Sequence, residues 1–178
     1  MKFLKVLLGI IIALVAIFFI VGMFLPKTYS LTRSIVINAP DSVIYNNIAD
    51  MNNFKKWNPW LKKEPTAVVN VSGTAGQVGH FYTWKGEDNN TGQGQMTIVK
   101  VEPYKMVDEE IKFFKPMTGT GDVMFNLAPD AGGIKVDWMM SGENKSTVDK
   151  WMGLCMGLLM GKDFENGLKD LKAMSEKK

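Results

Sequence analysis

The chain has 178 residues, a formal net charge of +3, one histidine and one cysteine. Lys2, Lys5 and Lys27 account for the basic excess, so the rest is electrically balanced and has no field to gather nucleic acid. A lone cysteine forms no intrachain disulfide, and a single histidine beside it argues against a zinc site of the usual ligand types, so a hydrophobic core must hold the fold.

From Val6 to Leu25 the sequence VLLGIIIALVAIFFIVGMFL contains no charge. A helix of that length rises about 30 Å, the thickness of a bilayer's hydrocarbon core. The apolar cores of signal peptides are shorter, about 7–15 residues, and end in small residues at the cleavage site. Phe24-Leu25-Pro26-Lys27 offers no such pattern, so residues 1–27 are expected to be an uncleaved single-pass membrane anchor and residues 28–178 one domain. Gly9 and Gly22 are too far apart for a GxxxG pairing motif. Lys2 and Lys5 oppose Lys27 and Arg33 across the span, which by a narrow margin puts the N-terminus inside and the domain on the extracytoplasmic side.

Ser30–Asn38 reads as a strand rich in β-branched residues. Pro40, Asp41 and Ser42 start a short helix with Ile44, Ile48 and Met51 on one face, and Asn52-Asn53 breaks it. A second short helix around Phe54–Trp57 ends before Pro59. Six strand-like runs follow between Gly- and Pro-rich turns: Ala67–Ser72, His80–Lys85, Gln93–Val101, Val107–Phe114, Asp122–Leu127 and Ile134–Ser141. That spacing suits an antiparallel meander. Asn-x-Ser/Thr sequons occur at Asn70, Asn89 and Asn144. The last stretch, Ser146–Ser175, is helical by pattern, with Ser146 or Thr147 as N-cap and Met152, Met156, Leu159, Phe164, Leu168 and Leu171 near one face. Gly153, Gly157 and Gly161 predict a break, with one helix to about Met160 and a longer one from Lys162. This last helical segment is the only element long enough to cover the sheet, and a gap between the two is where a ligand would fit.

Alternate strand residues point to opposite faces, so the apolar phase marks the inner side. Tyr82 and Trp84 share a phase with His80; Phe113 shares one with Ile111 and Glu109; Phe125 and Trp138 belong to the apolar phases of their strands, the latter with Met140. Gln93–Val101 is ambiguous, with Met96 and Ile98 opposing Thr97, Val99 and Val101. The candidate lining is therefore Tyr82, Trp84, Phe113, Phe125, Trp138 and Met140 from the sheet, Met152 and Met156 from the helix, and Trp57 and Trp60 near the mouth. Each of these side chains could equally serve as core packing. Glu109 is the polar exception. Inside an apolar cavity it could orient a ligand hydroxyl or move a proton; at an open strand end, with Asp108 and Glu110 beside it, it would simply be hydrated. His80 reads as a surface histidine at a strand start, and Cys155, in WMGLCMGLLMG, as a buried small hydrophobe. Thirteen methionines suit either an adaptable apolar surface or core filling.

The runs Ile35-Val36-Ile37-Asn38-Ala39-Pro40, Ile44-Tyr45, Ile48-Ala49-Asp50, Asn53-Phe54 and Trp57-Asn58-Pro59-Trp60 resemble the opening of the START-like, or SRPBCC, superfamily. More narrowly they resemble its polyketide cyclase/dehydrase and lipid-transport group. The likeness continues through Gly79, Tyr82, Trp84 and Gly86, through Gly92, Gly94 and Met96, and through Glu102-Pro103 to Phe164-Glu165, Gly167-Leu168 and Leu171-Lys172. It implies an α+β helix-grip fold: a strand, two short helices, a six-strand antiparallel meander and a long C-terminal helix, here preceded by one transmembrane helix. It also implies a deep apolar cavity for a lipid, sterol, polyketide or other hydrophobic small molecule. The group shares no catalytic motif, so it assigns no catalytic residue, metal or cofactor. Three readings stay open: a membrane-tethered binding module, an enzyme using Glu109, Tyr82 or His80, and a protein-interaction module of the chaperone-regulator kind with an exposed Trp57/Trp60 patch.

Overall fold

Period-two burial carries the sheet. Val136, Trp138 and Met140 are buried along one strand and Val123, Phe125 and Leu127 along its neighbour, while Asp137, Met139, Met124 and Asn126 between them are half-buried or exposed. The computed structural model describes residues 2–87 and 91–177, which form α1 (Lys2–Phe24), β1 (Thr28–Ile37), α2 (Asp41–Ala49), α3 (Met51–Trp57), α4 (Pro59–Lys63), β2 (Val68–Ser72), β3 (Phe81–Lys85), β4 (Gln93–Glu102), β5 (Met106–Lys115), β6 (Gly119–Asp130), β7 (Gly133–Glu143) and α5 (Thr147–Ser175). The sequon at Asn89 lies outside the described residues. The strands form one antiparallel sheet in the order β1-β7-β6-β5-β4-β3-β2, so β2 to β7 are a meander and β1 closes onto β7. The curved sheet grips α5, whose Phe164, Leu168 and Leu171 are buried against it, and the fold is the α+β helix grip.

The ambiguous strand is settled by a bulge. Gly94, Met96 and Ile98 face inward, and the register shifts between Ile98 and Lys100. The extra residue turns Val99 out to solvent and returns Val101 to the core edge.

Three short helices, not two, follow β1. Asp50 ends α2 and caps α3, accepting the Asn52 N–H at 2.9 Å. Asn58 repeats the device for α4: its Oδ1 accepts from the N–H groups of Trp60 (2.9 Å) and Leu61 (3.3 Å), with Pro59 in the first turn. The Asn-Pro pair that reads as a helix end is thus also a helix start. Asp41 and Ser42 do not cap α2; Pro40 holds that position, and the Asp41 carboxylate accepts from the adjacent Ser42 N–H.

The expected break in the last helix is absent. α5 runs unbroken for 29 residues from a capping box in which Ser146 Oγ accepts the Asp149 N–H (3.1 Å) and Asp149 Oδ2 accepts the Ser146 N–H (2.8 Å). Three of its glycines are sites of close approach, and a Cβ at Gly153 would lie 2.9 Å from the Asn144 side-chain amide. A Cβ at Gly161 would strike the Arg33 guanidinium, and one at Gly167 would lie 2.8 Å from the Trp138 ring. The helix gives up some intrinsic propensity so that it can lie close against the sheet.

Candidate functional site

Where α4 and α5 arch over β3, β4 and β5 they leave a recess of about 610 Å³. Its walls are aromatic and aliphatic: Trp60 and Leu61 from α4, Tyr82 and Trp84 from β3, Met96 from β4, Ile111 and Phe113 from β5, Val123 from β6, Trp138 and Met140 from β7, and Leu159, Met160 and Phe164 from α5. Lys63 and Asp163, ion-paired at 2.6 Å, join Glu64, Thr91 and Asn58 as its polar part. The Glu64 carboxylate also accepts the Glu87 N–H. Trp84 is held by its Nε1 donating to the Thr91 carbonyl (3.0 Å), and its ring lies where a side chain at Gly94 would otherwise project.

The recess brings together Trp60, Tyr82, Trp84, Phe113, Trp138 and Met140, all named from the strand phases or the Trp-rich turn. Trp57 is not near the mouth. It is 1% exposed, donates Nε1 to the Asn47 carbonyl (2.8 Å), and packs edge-on to Trp138 (5.5 Å) and Phe125 (6.0 Å). Phe125 stacks behind Trp138 at 5.3 Å and does not line the recess. Met152 is largely exposed and Met156 half-buried; the α5 residues that reach the recess begin with Leu159. The first turns of α5 lie against α1 through Lys150 and Trp151, so its contact with the recess begins about a turn later. Cys155 is exposed for the same reason.

Glu109 points inward as its phase requires, and it is not hydrated: its exposure is 0%, and neither carboxylate oxygen has a hydrogen-bond partner among the described residues. It sits in a row across the sheet with Ile98 on β4 and Val123 on β6 and does not line the recess. Burial, and then the nearby Asp108 carboxylate, push its carboxyl well above the ordinary glutamate range. Burial also raises the Tyr82 phenol, Glu109 adds to this, and the hydrogen bond from Asn58 Nδ2 (3.1 Å) opposes it.

His80 is buried, contrary to the surface reading. Its Nε2 accepts the Met51 N–H (3.0 Å) and its Nδ1 donates to the Ser72 carbonyl (2.9 Å), so one neutral tautomer ties α3 to the strand edge. Two site features escaped the sequence reading. Asn58 couples the α4 cap to the Tyr82 hydroxyl, and Asn-Pro before Trp60 was the available signal. Trp138 is 2% exposed and lines the recess with its Nε1–H unpaired among the described residues, whereas Trp57 and Trp84 both have carbonyl partners.

A family sequence model described as polyketide cyclase / dehydrase and lipid transport matches residues 28–176. The chain belongs to that family. Membership and fold together make it a ligand-binding or cyclase-type domain. No curated protein sequence matches it. Solved structures share the fold at low identity. Ginseng major latex-like protein 151 from Panax ginseng has a TM-score of 0.58 at 12% identity, covering 85% of this chain and 100% of that one. The di-domain ARO/CYC BexL from the BE-7585A biosynthetic pathway gives 0.60 at 11% identity, covering 85% of this chain and 51% of that one. The Aha1 dimer from Colwellia psychrerythraea gives 0.55 at 22% identity, covering 83% and 96%. Each is evidence of shared architecture within this family's helix-grip fold.

Proposed function

We propose that this family member is a membrane-anchored binding protein for a hydrophobic small molecule or lipid held in the recess between the sheet and α5. Residues 1–27 form the anchor and residues 28–178 the domain. The observation that carries the reading is the recess of about 610 Å³ beneath α5, walled mainly by aromatic and aliphatic side chains. An apolar ligand filling it would take that surface out of water at about 25 cal/mol per Å². The enzyme reading keeps only Tyr82 in the recess, because Glu109 and His80 do not line it. The partner-only reading loses its Trp57/Trp60 patch, since Trp57 is buried and Trp60 half-buried.

Native mass spectrometry of the full-length chain released from detergent micelles tests this. The wild type is expected to carry a lipid-sized adduct, and Ile111→Trp, which fills the recess, is expected to lose most of it. Wild type that remains free of adducts after incubation with a cellular lipid extract refutes the reading.

α1 is long and apolar enough to cross a membrane, and we place the domain on the extracytoplasmic side. The support is the short basic tail, Lys2 and Lys5, before the span. Protease added outside right-side-out vesicles is expected to digest the domain and to spare it in inverted ones; the reverse pattern flips the topology.

A further inference from the structure

The first half of α5 has no protein partner for its outer face among the described residues. From Trp151 to Gly161 the helix carries no charge, and Leu154, Cys155, Leu158 and Leu159 are exposed, Leu158 by 86%. At Lys162 the character changes abruptly, and Lys162, Glu165, Asn166 and Lys169 make the rest of the exposed face polar. A contiguous apolar surface of this kind marks a contact to be made.

Where that surface sits is fixed by α1. Asn144 donates its Nδ2–H to the Pro26 carbonyl (3.1 Å), Lys150 Nζ donates to the Gly22 carbonyl (3.1 Å), and Trp151 Nε1 donates to the Phe18 carbonyl (3.3 Å). The Trp151 and Phe18 rings stack at 5.5 Å, and the Thr147 methyl fills the space a side chain at Gly22 would need. Rising numbers on α5 meet falling numbers on α1 as far as Phe18, and the described residues of α1 before Phe18 are exposed, so α5 touches only the last two turns of the anchor. The start of α5 is therefore held at the outer end of the span, at the bilayer surface. Phe18 lies about 10 Å along the helix from Leu25, at 1.5 Å per residue. The Lys150 ammonium caps the last carbonyls of α1, as a cation at a helix C-terminus should, and marks headgroup level near Gly22. Trp151, one turn deeper, occupies the position favoured by interfacial tryptophan.

Taking α1 as a membrane span and the recess as the ligand site, we propose that residues 151–160 of α5 lie in the interface layer of the same bilayer. Leu159 and Met160 belong both to this segment and to the lining of the recess, so the recess meets the lipid surface along its α5 rim. The ligand is then a bilayer-resident lipid that enters laterally, without crossing water.

Cys155, the only cysteine and exposed, is a native probe of this face. The full-length chain is labelled there with an environment-sensitive fluorophore and reconstituted into phosphatidylcholine–phosphatidylglycerol vesicles with or without doxyl-labelled lipid. The doxyl lipid is expected to quench this label several-fold more than the same label at residue 131, on the exposed β6–β7 turn, in a Cys155→Ser, Ala131→Cys variant. Leu154→Glu with Leu158→Glu should abolish the difference while leaving the thermal melt unchanged, because both leucines are already exposed. Equal quenching at the two positions overturns the inference. So does protection from aqueous iodide without quenching by doxyl lipid, which would mean that a second protein surface covers the face. Alkaline carbonate extraction reads the anchor separately. A chain retained in the vesicles whose Cys155 label is aqueous refutes this inference alone; a chain released by carbonate refutes the anchor as well.

Discussion

Glu109→Met raises stability by about 1–3 kcal/mol, the cost of leaving a buried polar group unsatisfied, and the gain is larger at pH 8 than at pH 5. Methionine matches the length of the glutamate side chain and asks for no hydrogen bond, so Ile98 and Val123 keep a neighbour of similar volume. The pH dependence follows from the direction of the shift. A carboxyl whose folded pKa lies above its ordinary value of 4.5 holds its proton longer in the folded chain. Folding then takes up a proton, and stability is greatest below that value and declines as pH rises toward the folded pKa. Asp108 is raised in the same sense, by burial and by Asp122, so the wild-type profile mixes the two groups. The difference between wild type and Glu109→Met isolates Glu109. Each kcal/mol moves the melting temperature by about 2–4 °C in a domain of this size. Melts of the full chain in detergent at a series of pH values provide the measurement. A gain that does not vary with pH, or a loss of stability, would show that the Glu109 carboxylate has a partner.

The contrast between what the chain disclosed and what it concealed is a contrast of ranges. Strand phase is local, and it put Tyr82, Trp84, Phe113 and Trp138 on the inner face because a strand reverses its side every residue. The same rule put Glu109 inward, yet Asp108 and Glu110 beside it suggested an open, hydrated end. Its burial depends on Ile98 and Val123 flanking it from the neighbouring strands and on α2 packing across β5 and β6, contacts that come from distant parts of the chain. Glycine in a helix looks like a break when only propensity is weighed; Arg33 and Trp138, more than twenty residues away in the chain, are what turn Gly161 and Gly167 into contact points. Asn58-Pro59 was read as a stop because a helix end and the next helix start share the same residues. The exposure of Cys155 was hidden for a further reason: the face it lies on is set by how α5 meets α1, which neither segment's own periodicity contains.

Trp138 separates packing from recognition. Its ring stacks on Phe164 at 4.2 Å and on Phe125 at 5.3 Å, and meets Trp57 and Trp60 edge-on at 5.5 and 6.0 Å. Trp138→Ala removes the centre of that cluster and is expected to cost about 3–5 kcal/mol of stability, as large-to-small core changes do. Trp138→Phe keeps an aromatic ring there and removes only the second ring with its unpaired donor, so it should cost far less. For ligand binding, Nε1 is closed off from the recess and only the ring's apolar surface faces a ligand, so Trp138→Phe should change the affinity for the co-purifying lipid by no more than about threefold. Chemical denaturation gives the first quantity, and titration of the delipidated full-length chain with that lipid gives the second. Near-wild-type affinity means that the recess selects its occupant by shape and apolar contact, whereas a loss of about tenfold or more would mean that a ligand oxygen reaches Nε1 in the bound state. If Trp138→Phe is as unstable as Trp138→Ala, the indole's second ring is essential to the core. The affinity of the folded fraction would then have to be read at a temperature well below its melt, where the same near-wild-type affinity is expected.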